Sequence, residues 1–186
     1  RLADGYSDPP GFTSTIDGKR FDDLDMMRDL PELRRAVSVL ETLTYPNGEN
    51  IVVHDTYGRL LSSGHAAPKR TRPLLYPAFG HGALARGERS RGNQIQAHLH
   101  YSGNWGHDHL DMLDLILWAY KEELVSDIGY AHTYRMFANN TSGHNLVVVD
   151  RWRQGRVKET GDLVAWHAVP DGPQVVEVSA PAVYRQ

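Results

Sequence analysis

The sequence predicts a mostly β fold with a helical N-terminal part, and two observations carry that expectation. One segment, Pro31 to Thr44, keeps a helical period and places Leu33, Ala36, Val37, Leu40 and Leu43 on one face. After Tyr45-Pro46-Asn47-Gly48 the texture changes to short apolar runs separated by Gly, Pro, Asn and Asp, the pattern of strands joined by turns.

Residues 1–30 contain Pro9-Pro10-Gly11 and Asp17-Gly18 with no sustained period, so a surface loop with a short helix near Phe21 to Met27 is expected. Asp29 is placed to cap the long helix. Pro31 suits its first turn, where a missing N–H is no loss. The Pro-Gly turn after Thr44 ends it. A single amphipathic helix cannot bury its own stripe, so it must pack against another element. The polar, basic stretch Ser62 to Arg72 reads as a linker, dividing the chain into a helical part, 1–65, and a β part, 66–186.

Strands are expected at Ile51 to Val53, Leu74 to Phe79, Ala83 to Arg86, Gln94 to Tyr101, Met112 to Tyr120, Leu124 to Asp127, Leu146 to Asp150, Leu163 to Val169 and Val175 to Val178. Met112 to Tyr120 fits two periods. Leu113, Ile116, Leu117 and Tyr120 suit a helix, while the alternation of Leu113, Leu115, Leu117 and Ala119 with a second apolar set suits a strand buried on both faces, which is preferred. Lys121-Glu122-Glu123 then turns it into the next strand. A straight hairpin would leave His109 several residues beyond the partner of Asp127, so the His107 to Asp111 segment must fold back or the sheet must bend.

A chain of 186 residues is about one domain's worth, and two partial domains are equally compatible. Its 40% hydrophobic and 23% charged residues are ordinary for a globular protein, and a net charge of -3 gives no general reason to expect a nucleic-acid partner. No apolar run approaches the roughly 18 residues of a membrane span, and no membrane partner is expected. The start Arg1-Leu2-Ala3-Asp4 does not look like a secretory signal and lacks an initiator methionine, so a processed product or an internal fragment is expected. Cys is absent. Disulfides and thiolate ligands are thereby excluded, and any metal must be held by nitrogen and oxygen.

Chemistry concentrates between Gly106 and Asp150. Gly106-His107-Asp108-His109-Leu110-Asp111 sets two imidazoles two residues apart, on the same side if the chain is extended. His109, Asp127 and His144 supply the two-His-one-carboxylate set that commonly holds zinc without Cys, from three separate segments. The competing reading makes His109 and His144 hydrogen-bonded residues at sheet ends, Asp127 the cap of the turn Asp127-Ile128-Gly129, and His107 a solvated loop residue. Tyr130 and Tyr134 are either packing aromatics or, beside a metal and cations, proton-transfer groups. Trp105 is either a sugar-stacking face or a core residue. His98 and His100 alternate along a strand and read as structural, and His54-Asp55 carries no assigned role.

Taken in order, Gly106-His107-Asp108-His109-Leu110-Asp111, Asp127-Ile128-Gly129-Tyr130 and Ser142-Gly143-His144-Asn145-Leu146-Val147-Val148-Val149-Asp150, with Gln154 after them, resemble the heparinase II/III-like family of polysaccharide lyases. Tyr45-Pro46-Asn47-Gly48 with His54-Asp55 is similar to the end of that family's helical toroid, and Tyr76-Pro77 through Gly80, Leu84 and Gly87 to its first sandwich strands. The resemblance runs from about Leu33 to Tyr184. It implies the end of an incomplete (α/α) toroid followed by part of an antiparallel β-sandwich. It further implies one mainly structural zinc at His109, Asp127 and His144, an active-site His107, and a catalytic Tyr134 or Tyr130.

The implied reaction is β-elimination on a uronic-acid polysaccharide, an acidic substrate, by a periplasmic or secreted enzyme. The family's other catalytic residues, an Asn or His and a Tyr on earlier helices, have no counterpart before Leu33, so this chain alone is expected to be inactive. Its Leu33, Val37 and Leu40 face and at least one sandwich edge, left uncovered, are expected to cause self-association into a homo-oligomer or poor solubility. Two other classes stay open. His107-x-His109-x-Asp111 also resembles the motif of metallo-β-lactamase-like zinc hydrolases, although Met112 stands where a His is usual. A noncatalytic carbohydrate-binding β-domain, with Trp105 and the tyrosines as platforms, is the other.

Overall fold

The structure, a computed structural model, describes residues 4–57 and 71–185. The expected 65/66 boundary and most of Ser62 to Arg72 lie outside the described residues. By internal contacts the chain forms two compact units, Arg1–Thr42 and Leu43–Gln186.

In the first unit, the loop before the helices is held by Asp8, whose carboxylate accepts the Phe21 N–H at 2.7 Å, and by Arg20, which donates to the carbonyls of Asp8 and Pro9. Helix α1 spans Met26–Asp29, and α2 spans Pro31–Thr42. The short helix therefore starts later than the expected Phe21, where Asp25 can cap it by accepting from the Met27 and Arg28 N–H groups, each at 2.9 Å. Asp29 does not cap α2. It ends α1, and its carboxylate is engaged by Arg28 and by the Asp25 N–H. Of the expected apolar stripe, Ala36 and Val37 are exposed and Leu33 is half-buried. No helix among the described residues is long and apolar enough to cross a membrane.

The second unit is antiparallel β. Strands β1 (Leu74–Tyr76), β2 (His81–Arg86), β3 (Ile95–His100), β4 (Asp114–Ala119) and β5 (Glu122–Val125) pair in chain order as a five-stranded meander, and β6 (Asp162–Ala168) and β7 (Gln174–Ser179) form a hairpin. The hairpin lies on the sheet at Gly82, where a side chain would meet Val176 at 3.3 Å and Trp166 at 3.7 Å, and the Gln174 side chain bonds both backbone groups of Ala85. That two-layer arrangement is a β-sandwich part.

The segment Met112 to Tyr120 is a strand over Asp114–Ala119, as preferred over a helix. Its two-residue turn falls one position earlier than expected, at Tyr120 and Lys121. Both have positive φ, 53° and 70°, as the hairpin turn matching strand twist requires. Two expected strands are absent. Ile51 to Val53 is irregular chain after a tight turn closed by the Thr44↔Asn50 bridge, and Ile51 instead packs with Tyr45, Ile116 and Trp118 as a core cluster. Leu146 to Asp150 is likewise irregular. Asn145 is docked on β4 through the Leu115 N–H and the Asp114 carboxylate, and the chain then leaves the sheet and turns at Asp150 and Arg151, both with positive φ.

One face of the meander is unusual in composition. The pleat puts His81, Ala83 and Ala85 of β2, Gln96, His98 and His100 of β3, and Asp114, Ile116 and Trp118 of β4 on the same side, all buried. The Leu43 to Tyr57 segment packs here, and the polar end of this face, at His100 and Asp114, is where the candidate site is built.

Candidate metal centre and active site

The loop from β3 to β4 carries His107, His109 and Asp111, and it does fold back. Leu113 adopts φ 73°, its N–H bonds the His100 carbonyl at 2.8 Å, and the Asp114 N–H bonds the Asp111 carbonyl at 3.0 Å. Gln154 holds the turn from the side by imitating a strand. Its amide donates to the Met112 carbonyl at 2.7 Å and accepts the Met112 N–H at 3.0 Å. Asn104 donates to the His109 carbonyl at 2.8 Å, and Arg156 pins Asp108 at 2.7 Å.

This geometry brings His109 to Asp127, which follows β5, and to His144, which follows the short 3-10 turn Thr141–Gly143. One ligand-type atom from each of the three lies within 4.8 Å of the others, and all three side chains are buried. Asp127 caps its turn and also faces His144. Its Oδ1 accepts the Gly129 N–H at 2.6 Å as a turn cap, while Oδ2 stands 2.7 Å from His144 Nδ1.

The free valences of the cluster fit a cation. His109 Nε2 is 3.1 Å from Asp55 Oδ1, whereas His109 Nδ1 is buried and has no hydrogen-bond partner among the described residues. His144 Nε2 donates to the Ala138 carbonyl at 2.7 Å, which leaves Nδ1 facing the Asp127 carboxylate, a contact that needs a proton or a metal between two lone pairs. Asp114 adds to the demand. Its Oδ2 is buried without a partner, and burial together with the neighbouring Asp127 charge pushes its carboxyl up to about 8. Burial pulls the His144 imidazole down, but Asp127, Asp111 and Asp114 outweigh it and raise it above the usual histidine range. Imidazoles turned toward a metal by carboxylate and carbonyl acceptors on their far nitrogens are the arrangement zinc sites use.

Asp55, to which the sequence assigned no role, organises the outer edge of the cluster. Its side chain is 6% exposed and receives His109 Nε2, His107 Nδ1 at 3.2 Å and Arg135 Nη2 at 3.4 Å. Burial pushes this carboxyl up, but the hydrogen bonds from His109 and His107 and the charge of Arg135 hold it below the usual range, so it stays ionised. His54 before it has φ 51°, a strained backbone for a residue with a side chain. The side chain of His107 is 89% exposed. The two imidazoles thus meet one carboxylate from opposite environments, one buried and one in solvent.

Tyr130 is packed, its ring centroid 4.7 Å from that of Tyr57 and 5.6 Å from the Arg135 guanidinium carbon. Tyr134 is 72% exposed at the start of α3 (Arg135–Ala138), and Trp105, 75% exposed, is not a core residue. Beside the His107 loop a cavity of about 500 Å³ is lined by Leu110, Arg135, Asn139, Arg153 and Arg156 among others. His98 is buried among His81, Gln96 and Tyr45, as its structural reading expected, while His100 reaches His54 and Ser102.

Gly129 makes the Asp127 turn feasible. It has φ 59°, and a side chain there would overlap Val52 and the Thr56 carbonyl. Gly129→Ala is expected to destabilise the protein by about 3 kcal/mol and to weaken zinc binding, because the displaced N–H is the one that orients Asp127. Thermal melts with and without zinc measure both; an unchanged melt would show that the turn relaxes freely.

No protein-family model matches the sequence, and no curated protein matches it. Among solved structures, the chain is similar to a heparinase III gene product, solved with and without methylated lysines, at TM-score 0.65 and 16% identity in both cases. The match covers 82% to 84% of this chain and 28% to 29% of that one. It is also similar to a second heparinase III structure at TM-score 0.59 and 16% identity, over 74% of this chain and 28% of that one. The chain thus shares the fold of part of heparinase III and spans under a third of its length.

Proposed function

We propose that this chain is the site-bearing part of a polysaccharide lyase that cleaves a uronic-acid polysaccharide by β-elimination, with zinc held by His109, Asp127 and His144. The observation that carries the reading is the position of His107. It rests on the buried Asp55 beside the cluster, yet it stands in solvent where a polymer can reach it.

Elimination needs the C6 carboxylate neutralised, the C5 proton removed and the departing O4 protonated. With Nδ1–H donated to Asp55, His107 presents Nε2 outward as a lone pair that can take a proton, or as a cation once protonated. Of the two tyrosines, Tyr130 is the better placed, since Arg135 links its ring to Asp55 and hence to His107. Arg135, Arg153 and Arg156 around the adjoining cavity suit a polyanionic chain, and exposed Trp105 suits a sugar face. Zinc, when bound, would fasten the three chain segments that carry the cluster. Such an enzyme would work where its polymer is found, in the periplasm or outside the cell.

The hydrolase reading requires His107 and His109 to ligate together with Asp111. Here His107 belongs to neither ligand-type cluster among the described residues, and Asp111 groups with His54 and His100 instead. The test uses the full-length protein with heparan sulfate, chondroitin, hyaluronan and alginate, following the ultraviolet absorbance of the C4–C5 double bond. Unsaturated product is expected. Reducing ends without unsaturation would establish a hydrolase, and binding without cleavage a carbohydrate-binding module.

A further inference from the structure

A second group of ligand-type atoms lies behind the first, built from residues that the elimination does not use. β3 carries His100 on its buried face, the irregular chain after Ile51 carries His54, and the turn before β4 carries Asp111. One atom from each lies within 4.8 Å of the others. His54 Nδ1 is 2.9 Å from Asp111 Oδ2, and His54 Nε2 is 2.9 Å from His100 Nε2. Ser102 Oγ sits between the two rings, 2.6 Å from His54 Nε2 and 3.1 Å from His100 Nε2.

The group is short of positive charge and of hydrogens. Asp111 is 1% exposed, and neither of its oxygens has a hydrogen bond among the described residues although His54 Nδ1 stands 2.9 Å from Oδ2. The same Nδ1 lies 3.3 Å from the His109 N–H, which needs it as an acceptor. If it accepts there it cannot donate to Asp111, and if it donates the His109 N–H loses its partner. At the other end of the ring, Nε2–H can donate to Ser102 Oγ and the Ser102 hydroxyl in turn to His100 Nε2, so with Nδ1 accepting from His109 the unmet demand falls on Asp111 alone. An unpaired buried carboxylate costs several kcal/mol, so the group as it stands is unlike a finished hydrogen-bond network.

We propose that His54, His100 and Asp111 form a second metal site, which takes a divalent transition-metal cation such as zinc, with Ser102 Oγ as a further oxygen donor. Two imidazoles, a carboxylate and a hydroxyl suit zinc and its neighbours rather than calcium or magnesium. The bound cation ties the His54-Asp55 segment to β3 and to the turn that carries His109. It thereby fixes the carboxylate on which His107 and His109 both rest. This inference stands apart from the lyase reading, since it concerns ion binding alone.

Zinc is the probe, added to the full-length protein after chelator treatment, with bound metal counted by elemental analysis and affinity read by chelator competition. Two ions per chain are expected in the wild type, one in His100→Gln, one in His144→Ala and none in the double variant. Asp111→Asn, close in shape, is the second variant should His100→Gln fail to fold, and it is expected to retain one ion or to bind the second at least tenfold more weakly. Cobalt added in place of zinc is expected to give a visible spectrum in His144→Ala that His100→Gln in the same background removes. One ion in the saturated wild type, or loss of all metal in His144→Ala, overturns the proposal.

Discussion

Zinc added to metal-free protein is expected to raise its melting temperature by roughly 8–16 °C for each site filled at a free concentration about a thousandfold above that site's dissociation constant. A ligand that binds only the folded state stabilises it by about 4 kcal/mol under that condition, and about 1 kcal/mol moves the melt of a chain this size by roughly 2–4 °C. His144→Ala should keep at most about half of the gain, through the His54, His100 and Asp111 group alone. The variant should also be less stable without metal, by about 3 kcal/mol, because it leaves the Asp127 carboxylate and the Ala138 carbonyl buried without their partner.

The same cluster sets the pH dependence. In the metal-free protein Asp114 and His144 both bind their protons more tightly folded than unfolded. Their contributions to stability are therefore complete in acid and fade as pH rises through about 8 for Asp114 and through the raised value for His144. Asp111 and Asp55 act oppositely. Asp111 is pushed up by burial but brought down to about 2 by the facing His54, His100 and His144, and its contribution is lost only in strong acid. Metal-free protein should accordingly melt higher near pH 5 than near pH 8. Zinc should reverse that order, since it takes the place of the protons and releases them on binding. A metal-free melt that rises from pH 5 to pH 8 would show that these two groups do not govern the site.

Much of the β part could be read from local pattern, and its failures share a cause. Apolar alternation bounded by turn residues located β2, β3, β4, β6 and β7 to within a residue or two, because the period that marks a strand is the one that buries its face. Val147-Val148-Val149 carries the same mark without a neighbouring strand to pair with, and β-branched residues cannot supply one. Ile51-Val52-Val53 failed likewise, its apolar side chains serving the core while its backbone stays irregular. For the site, His109, Asp127 and His144 stand out as chemistry-bearing residues, and the hairpin requires either a fold-back of the His107 to Asp111 segment or a bent sheet, whereas the turn at Leu113 that decides between them carries no sequence signal. Asp55, His54 and Asp111 were illegible as partners. Their meeting spans more than 50 positions of chain and leaves no periodic trace, and the one local sign, a His with left-handed backbone before a buried Asp, is visible only in three dimensions.

His107→Ala in the full-length protein is expected to lower the rate of elimination by about 10²–10⁴-fold, the usual contribution of a positioned proton-transfer group, while leaving metal content unchanged. The separation follows from geometry. His107 touches the cluster only through Asp55, so its removal strips the exposed side of that carboxylate and leaves the His109 contact and the Arg135 contact in place. Asp55→Asn should behave differently. The amide keeps the shape but loses the charge that turns both imidazoles, so the rate and the zinc affinity should fall together, the affinity by about 10–100-fold as for other carboxylates behind a metal-bound histidine. Measuring turnover and bound zinc on both variants separates the two roles. Full turnover in His107→Ala would remove that residue from the reaction whatever the metal content, and a His107→Ala protein that loses its zinc would make His107 a support of the metal cluster instead of the group that meets the polymer.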